Sequence, residues 1–131
     1  MTAWRLTLIL LAGEFAICRL PPDAPVPAWA DSASFTSITR TAEELSITCD
    51  RERIPADVQA QPGWRCLKVE GPFDLNTTVG VLATLAEPLA QVGVSLYVVS
   101  TYDTDYLFVR GEQLDRTMAT LTGQGHTIRS A

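Results

Sequence analysis

Between Trp64 and Arg110 the chain spells a run that few folds accommodate. It reads as a strand, a loop opening a long amphipathic helix, a second strand, and the tight turn Ser100-Thr101-Tyr102-Asp103-Thr104-Asp105-Tyr106 leading into a third. Trp64 to Glu70 is the first strand and Gly71-Pro72-Phe73-Asp74 the loop. Asn76, Thr77 or Thr78 can cap a helix running to about Val92, with Val79, Leu82, Ala83, Leu85, Ala86 and Leu89 as its apolar stripe. Pro88 lacks the amide donor that the helix needs and is expected to bend its last turns, and Gly93 closes it. Val94 to Ser100 and Asp105 to Arg110 then pair as a hairpin. Tyr106 and Phe108 face one way and Leu107 and Val109 the other, so the second arm reads as a central strand.

The flanking segments supply more strands. Trp4 to Leu11 and Glu14 to Leu20 read as two strands joined at Ala12-Gly13, with Phe15 and Ile17 opposite Ala16, Cys18 and Leu20. Four prolines between Pro21 and Pro27 forbid a long helix and leave room for one turn near Pro27 to Asp31, where Trp29 is expected to plug the sheet. Ser34 to Arg40 and Glu44 to Cys49 form a hairpin around Thr41-Ala42-Glu43. Asp50 to Gly63 reads as a helical turn and a loop, Glu112 to Thr122 as a last helix, and His126 to Ile128 as an edge strand.

The two halves repeat each other weakly. An offset of 61 sets Phe35 on Leu96, Thr39 on Ser100, Glu44 on Asp105, Leu45 on Tyr106 and Ile47 on Phe108. The first half has a proline-rich connection where the second has a helix, so the second is expected to carry the better-formed site.

Charge and cysteine usage exclude several classes. A formal net charge of -5, with no basic run, argues against nucleic acid and anionic membranes as partners. Arg5 followed by the apolar run Leu6 to Ala12 imitates a short signal peptide, but Glu14 follows at once and a strand explains the run better. Cys18, Cys49 and Cys66 are odd in number, widely spaced and set in apolar stretches, which predicts packed, reduced thiols in a cytoplasmic protein and no metal site.

The residues that carry chemistry cluster in the second half. A helix start at Asn76 to Gly80 offers free N–H groups and the positive end of the dipole to an anion such as a carboxylate, although the same residues serve equally well as an ordinary cap. Asp103 and Asp105 lie in and after the turn, where they can complement an ammonium group, or in Asp103's case simply stabilise the turn. Together the two features describe a small zwitterion. Asp-x-Asp alone is a weak metal or acid–base signal, and the lone His126 has no nucleophile beside it, so no catalytic residue and no cofactor is assigned.

The segments Ser34 to Ile47, Trp64 to Pro72 and Ser100 to Tyr106 resemble the small tandem ACT-domain proteins, relatives of the ACT modules of aspartate kinases and of the CASTOR arginine sensors. The resemblance implies an α+β architecture of two ferredoxin-like (βαββαβ-type) halves, residues 1–61 and 62–131, with their sheets side by side and the first helix reduced. It also implies a free amino acid held at a seam between ACT units. The ligand would touch Asn76, Thr77, Thr78, Val79 and Gly80 at the helix start, Val94, Ser95 and Leu96 at the strand opening, and Thr104 and Asp105 at the turn. The CASTOR sensors hold four ACT units in one chain, so a homodimer would rebuild their arrangement here. The function so implied is a non-catalytic sensor that regulates a protein partner; the rivals are a dimerisation module without ligand and a small enzyme acting on an amino acid.

Overall fold

A computed structural model describes residues 4–31, 34–74 and 79–131. Among these, the α+β architecture comprises β1 (Thr7–Leu10), β2 (Phe15–Leu20), β3 (Ser37–Arg40), β4 (Leu45–Asp50), β5 (Ala60–Val69), α1 (Val81–Gln91), β6 (Leu96–Ser100), β7 (Asp105–Arg110), α2 (Leu114–Gly123) and β8 (Thr127–Ser130). Neither helix is long and apolar enough to cross a membrane. The chain divides into two compact units, Met1–Ala12 with Arg65–Ala131, and Gly13–Trp64. This division differs from expected halves at 1–61 and 62–131, because β1 packs with the C-terminal residues.

In the larger unit β1 runs antiparallel to β5, pairing Leu8 with Val69 and Leu10 with Leu67, and parallel to β8, pairing Leu8 with Ile128. On its other side β5 meets β7, which pairs with β6. The order β5, α1, β6, β7, α2, β8 is therefore a ferredoxin-like βαββαβ unit with β1 inserted between its first and last strands. Alternation along β1 and β5 sends Leu8, Leu67 and Val69 into one core with Val81, Leu85 and Leu89 of α1 and Leu114 and Leu121 of α2. Both helices end in the same hydrogen-bond pattern. The N–H groups of Gly93 and Val94 reach the carbonyls of Ala90 and Leu89, and those of Gly125 and His126 reach Thr122 and Leu121.

Helix α1 departs from the expected stripe. It begins at Val81, later than the caps proposed at 76–78, which lie outside the described residues. Val81, Leu85 and Leu89, four apart, face the core, whereas Leu82 and Val79 are 37% and 80% exposed. The helix runs through Pro88 to Gln91. Strand β5 also begins earlier than expected, at Ala60, since its first residues pair with β2.

The smaller unit has β4 between β3 and β2, with Cys18 opposite Ile47 and Phe15 opposite Trp64 of β5. Cys18, Leu45, Ile47 and Cys49 form its core beneath the half-buried Trp29, which sits in a 3-10 turn at Ala28–Ala30. All three cysteines are free and buried, and burial pushes the Cys66 thiol up to about 12, which keeps it protonated and inert.

The internal repeat holds at an offset of 60, one less than the sequence alignment gives. In each hairpin the first turn residue donates its N–H to the carbonyl three residues on, Thr41 to Glu44 at 2.9 Å and Thr101 to Thr104 at 2.8 Å. The flanking pairs are Arg40 with Leu45 and Ser100 with Asp105. Asp105 thus corresponds to the buried Leu45, not to Glu44.

Candidate functional site

The larger unit holds a cavity of about 380 Å³ between the start of α1 and the β6–β7 turn. Phe73, Gly80 and the helix residues Val81, Leu82 and Ala83 line one part of it; Ser100, Thr104 and Asp105 line the rest. Strand geometry puts them there. α1 leads back into β6, so its N-terminal end lies beside the C-terminal end of β6, where Ser100 and Asp105 form the last pair of the ladder.

Hydrogen bonds from side chains and backbone fix the turn side of the cavity. The Ser100 hydroxyl donates to the Asp105 carboxylate at 2.5 Å, which aims an acceptor-only group at the cavity. The Thr104 hydroxyl is committed elsewhere: it donates to the Val69 carbonyl at 2.5 Å and is buried, tying the turn to β5. Phe73 donates its N–H to the Asp103 carbonyl at 2.7 Å. Gly71 permits this approach, since a Cβ there would lie 3.0 Å from the same oxygen.

At the helix start Gly80 has φ +80°, a left-handed conformation that disfavours other residues, and its carbonyl accepts from the Thr84 N–H at 2.9 Å and hydroxyl at 2.7 Å. The N–H groups of Val81, Leu82 and Ala83 belong to the first turn, where no intrahelical acceptor exists, and the dipole is positive. The cavity therefore combines one carboxylate, a helix N-terminus and the apolar side chains of Phe73 and Val81. This combination suits a small molecule bearing an ammonium group, an anionic group and an apolar portion. Among the described residues no cluster of three His, Cys, Asp or Glu is placed to hold a metal ion.

Of the residues expected from sequence, Gly80, Thr104 and Asp105 meet at this cavity. Asn76, Thr77 and Thr78 lie outside the described residues. Val79 turns its side chain to solvent and offers its carbonyl to the Trp4 indole. Leu96 lies at the opposite end of β6, about 13 Å from Ser100 at strand spacing, and Val94 and Ser95 precede it. There Val94 is buried in the core and the Ser95 N–H bonds Gln113 Oε1 at 3.1 Å. Asp103 contributes its backbone carbonyl rather than a second carboxylate to this region. Phe73, Val81, Leu82, Ala83 and Ser100 also line the cavity and are not among the site residues expected from sequence. Ser100 was within reach of sequence reasoning, because a four-residue turn sets it directly opposite Asp105.

Comparison with known proteins bears on the family and the fold. The family model for the ACT domain matches residues 59–123, and a second, described as an N-terminal domain, matches residues 13–57. The cytosolic arginine sensor for mTORC1 subunit 1 of Bos taurus is 30% identical across 66% of this chain and 30% of its own length, so the chain spans less than a third of that relative. Protein Atu0741 of Agrobacterium tumefaciens is 43% identical, with a TM-score of 0.92 over 98% of this chain and 96% of that one. The regulatory subunit of aspartate kinase from Thermus thermophilus, at 12% identity, has a TM-score of 0.61 over 94% of this chain and 99% of that one, a likeness of fold alone.

Proposed function

This chain belongs to the ACT-domain family, and on that premise we propose that it is a non-catalytic regulatory protein whose ligand is a free amino acid. The observation that carries the reading is Asp105. It is the one charged residue lining the cavity among the described residues, and it shares that cavity with the first turn of α1. The carboxylate takes the ligand's ammonium group and the helix N–H groups take its carboxylate. Phe73 and Val81 take its apolar part. Asn76, Thr77 and Thr78 belong to the same helix-start loop in this proposal. Val94, Ser95 and Leu96, at the other end of β6, would contact ligand held at a seam with a second copy of the chain.

The output is a change in the contact between copies, or with a regulated protein partner in the cytoplasm, driven by the ligand's preference for one arrangement. A relative is named an arginine sensor, so arginine stands first in the panel of candidates.

The test is a thermal-shift screen of the purified chain against the twenty amino acids and several nucleotides. A ligand at 100 times its dissociation constant adds about 2.7 kcal/mol, a shift that is easily read. A response to one or two amino acids supports the sensor reading. Silence across the panel with an intact dimer supports a dimerisation module instead, and turnover of an amino acid would mark an enzyme.

A further inference from the structure

Trp4 lies at the opposite end of the sequence from the cavity's turn, yet it touches the backbone that opens α1. Its indole N–H donates to the Val79 carbonyl at 2.9 Å. Its ring meets Phe73 edge-on, with centroids 6.0 Å apart and planes at 80°. Phe73 is itself a wall of the cavity and is bonded through its N–H to Asp103 in the β6–β7 turn. Trp4 therefore joins two walls that are separate in sequence, the Phe73 loop and the helix start.

The Gly80 carbonyl ties the corner forward to Thr84, and among the described residues Trp4 supplies the restraint on its Val79 side. The Val79 side chain is 80% exposed, and a Cβ built on Gly80 would find no atom within 4 Å. Gly80 is also the residue with the widest backbone freedom in this segment, so the direction in which Val81 to Ala83 present their N–H groups depends on what restrains Val79.

We infer that Trp4 is a positioning residue for the cavity: its indole hydrogen bond fixes the Val79-Gly80 corner against Phe73 and so sets the aim of the first turn of α1. The inference rests on the reading that this cavity binds an amino acid. It ties the segment preceding β1 to the site, so that occupancy of the cavity alters the surroundings of Trp4.

The decisive variant is Trp4→Phe, which keeps a ring against Phe73 and deletes the N–H. In the ligand-free full chain, amide hydrogen exchange at Thr84, whose N–H donates to the Gly80 carbonyl, should accelerate about fivefold, the factor expected for one modest hydrogen bond. Exchange at Thr127 and Ala131, whose N–H groups bond to Leu6 and Leu10, should not change. The stabilisation by whichever of the twenty amino acids acts on the wild type should shrink several-fold, with the unliganded melting temperature preserved. Unchanged exchange at Thr84 overturns the inference, as does acceleration spread equally over Thr127 and Ala131, which would make Trp4 a general brace for β1. If no amino acid stabilises the wild type, the proposed function fails, while the exchange pattern still decides whether Trp4 sets the corner.

Discussion

Ser100 and Asp105 face each other as the last pair of the β6–β7 hairpin, and the serine hydroxyl donates to the aspartate carboxylate at 2.5 Å. The bond holds the carboxylate in one rotamer at the cavity wall and leaves its remaining lone pairs for a cation. Asp105→Asn keeps the shape and removes the charge. It should alter unliganded stability by less than about 1 kcal/mol, as partly exposed substitutions do, while removing the amino-acid-induced thermal shift. A large loss of unliganded stability would mark Asp105 as structural. Ser100→Ala should weaken binding by several-fold and leave the melting temperature nearly unchanged.

Thr104 gives the opposite result. Its buried hydroxyl satisfies the Val69 carbonyl, so Thr104→Val strands an acceptor in the core and should cost about 1–3 kcal/mol in urea unfolding. Thr104→Ser, which restores the donor, should recover most of it.

Gly80→Ala isolates the backbone contribution. Among the described residues nothing lies within 4 Å of the added methyl, so the cost comes from φ +80°, about 1–2 kcal/mol in chemical denaturation if the helix start stays where it is. If the corner instead relaxes to negative φ, stability is kept and the amino-acid response is lost.

His126 predicts an acid-sensitive step. Its Nδ1 accepts the Leu6 N–H at 3.1 Å, which fixes the neutral ring with its proton on Nε2. Burial first, and then the Arg5 guanidinium, hold its pKa below 6.5. Below pH 6.5 the unfolded chain therefore binds a proton that the folded chain resists. The stability contribution is complete above that pH and declines as pH falls toward the folded pKa. Melting temperature measured against pH should show this slope, and His126→Gln, which keeps an acceptor without titrating, should flatten it.

The α+β class and the hairpin with its turn were legible because β-period alternation and the turn residues agree locally. The insertion of β1 beside β8 was not, since Leu6 and His126 are 120 residues apart and no local pattern encodes their pairing. The sequence aligns the repeat one residue out of register for a physical reason. Tyr106 to Val109 is apolar on both faces, so a slip of one position carries no penalty in hydrophobicity, although it reverses every side chain. The same ambiguity displaced the stripe of α1, where Leu82 and Val81 compete as neighbours. At the site, Asp105 and Gly80 stand out by residue type and Ser100 follows from the four-residue turn that sets it opposite Asp105, whereas Phe73 belongs to the cavity through the Asp103 carbonyl, which only the folded chain makes visible.

The most direct test of the central claim is an isothermal titration of the wild-type chain and Asp105→Asn with the twenty amino acids, arginine first. The account predicts saturable heat with one or two of them in the wild type and an affinity at least about tenfold weaker in the variant, the loss of one charge-assisted contact. Equal affinity in both proteins, or no heat with any amino acid, would contradict it.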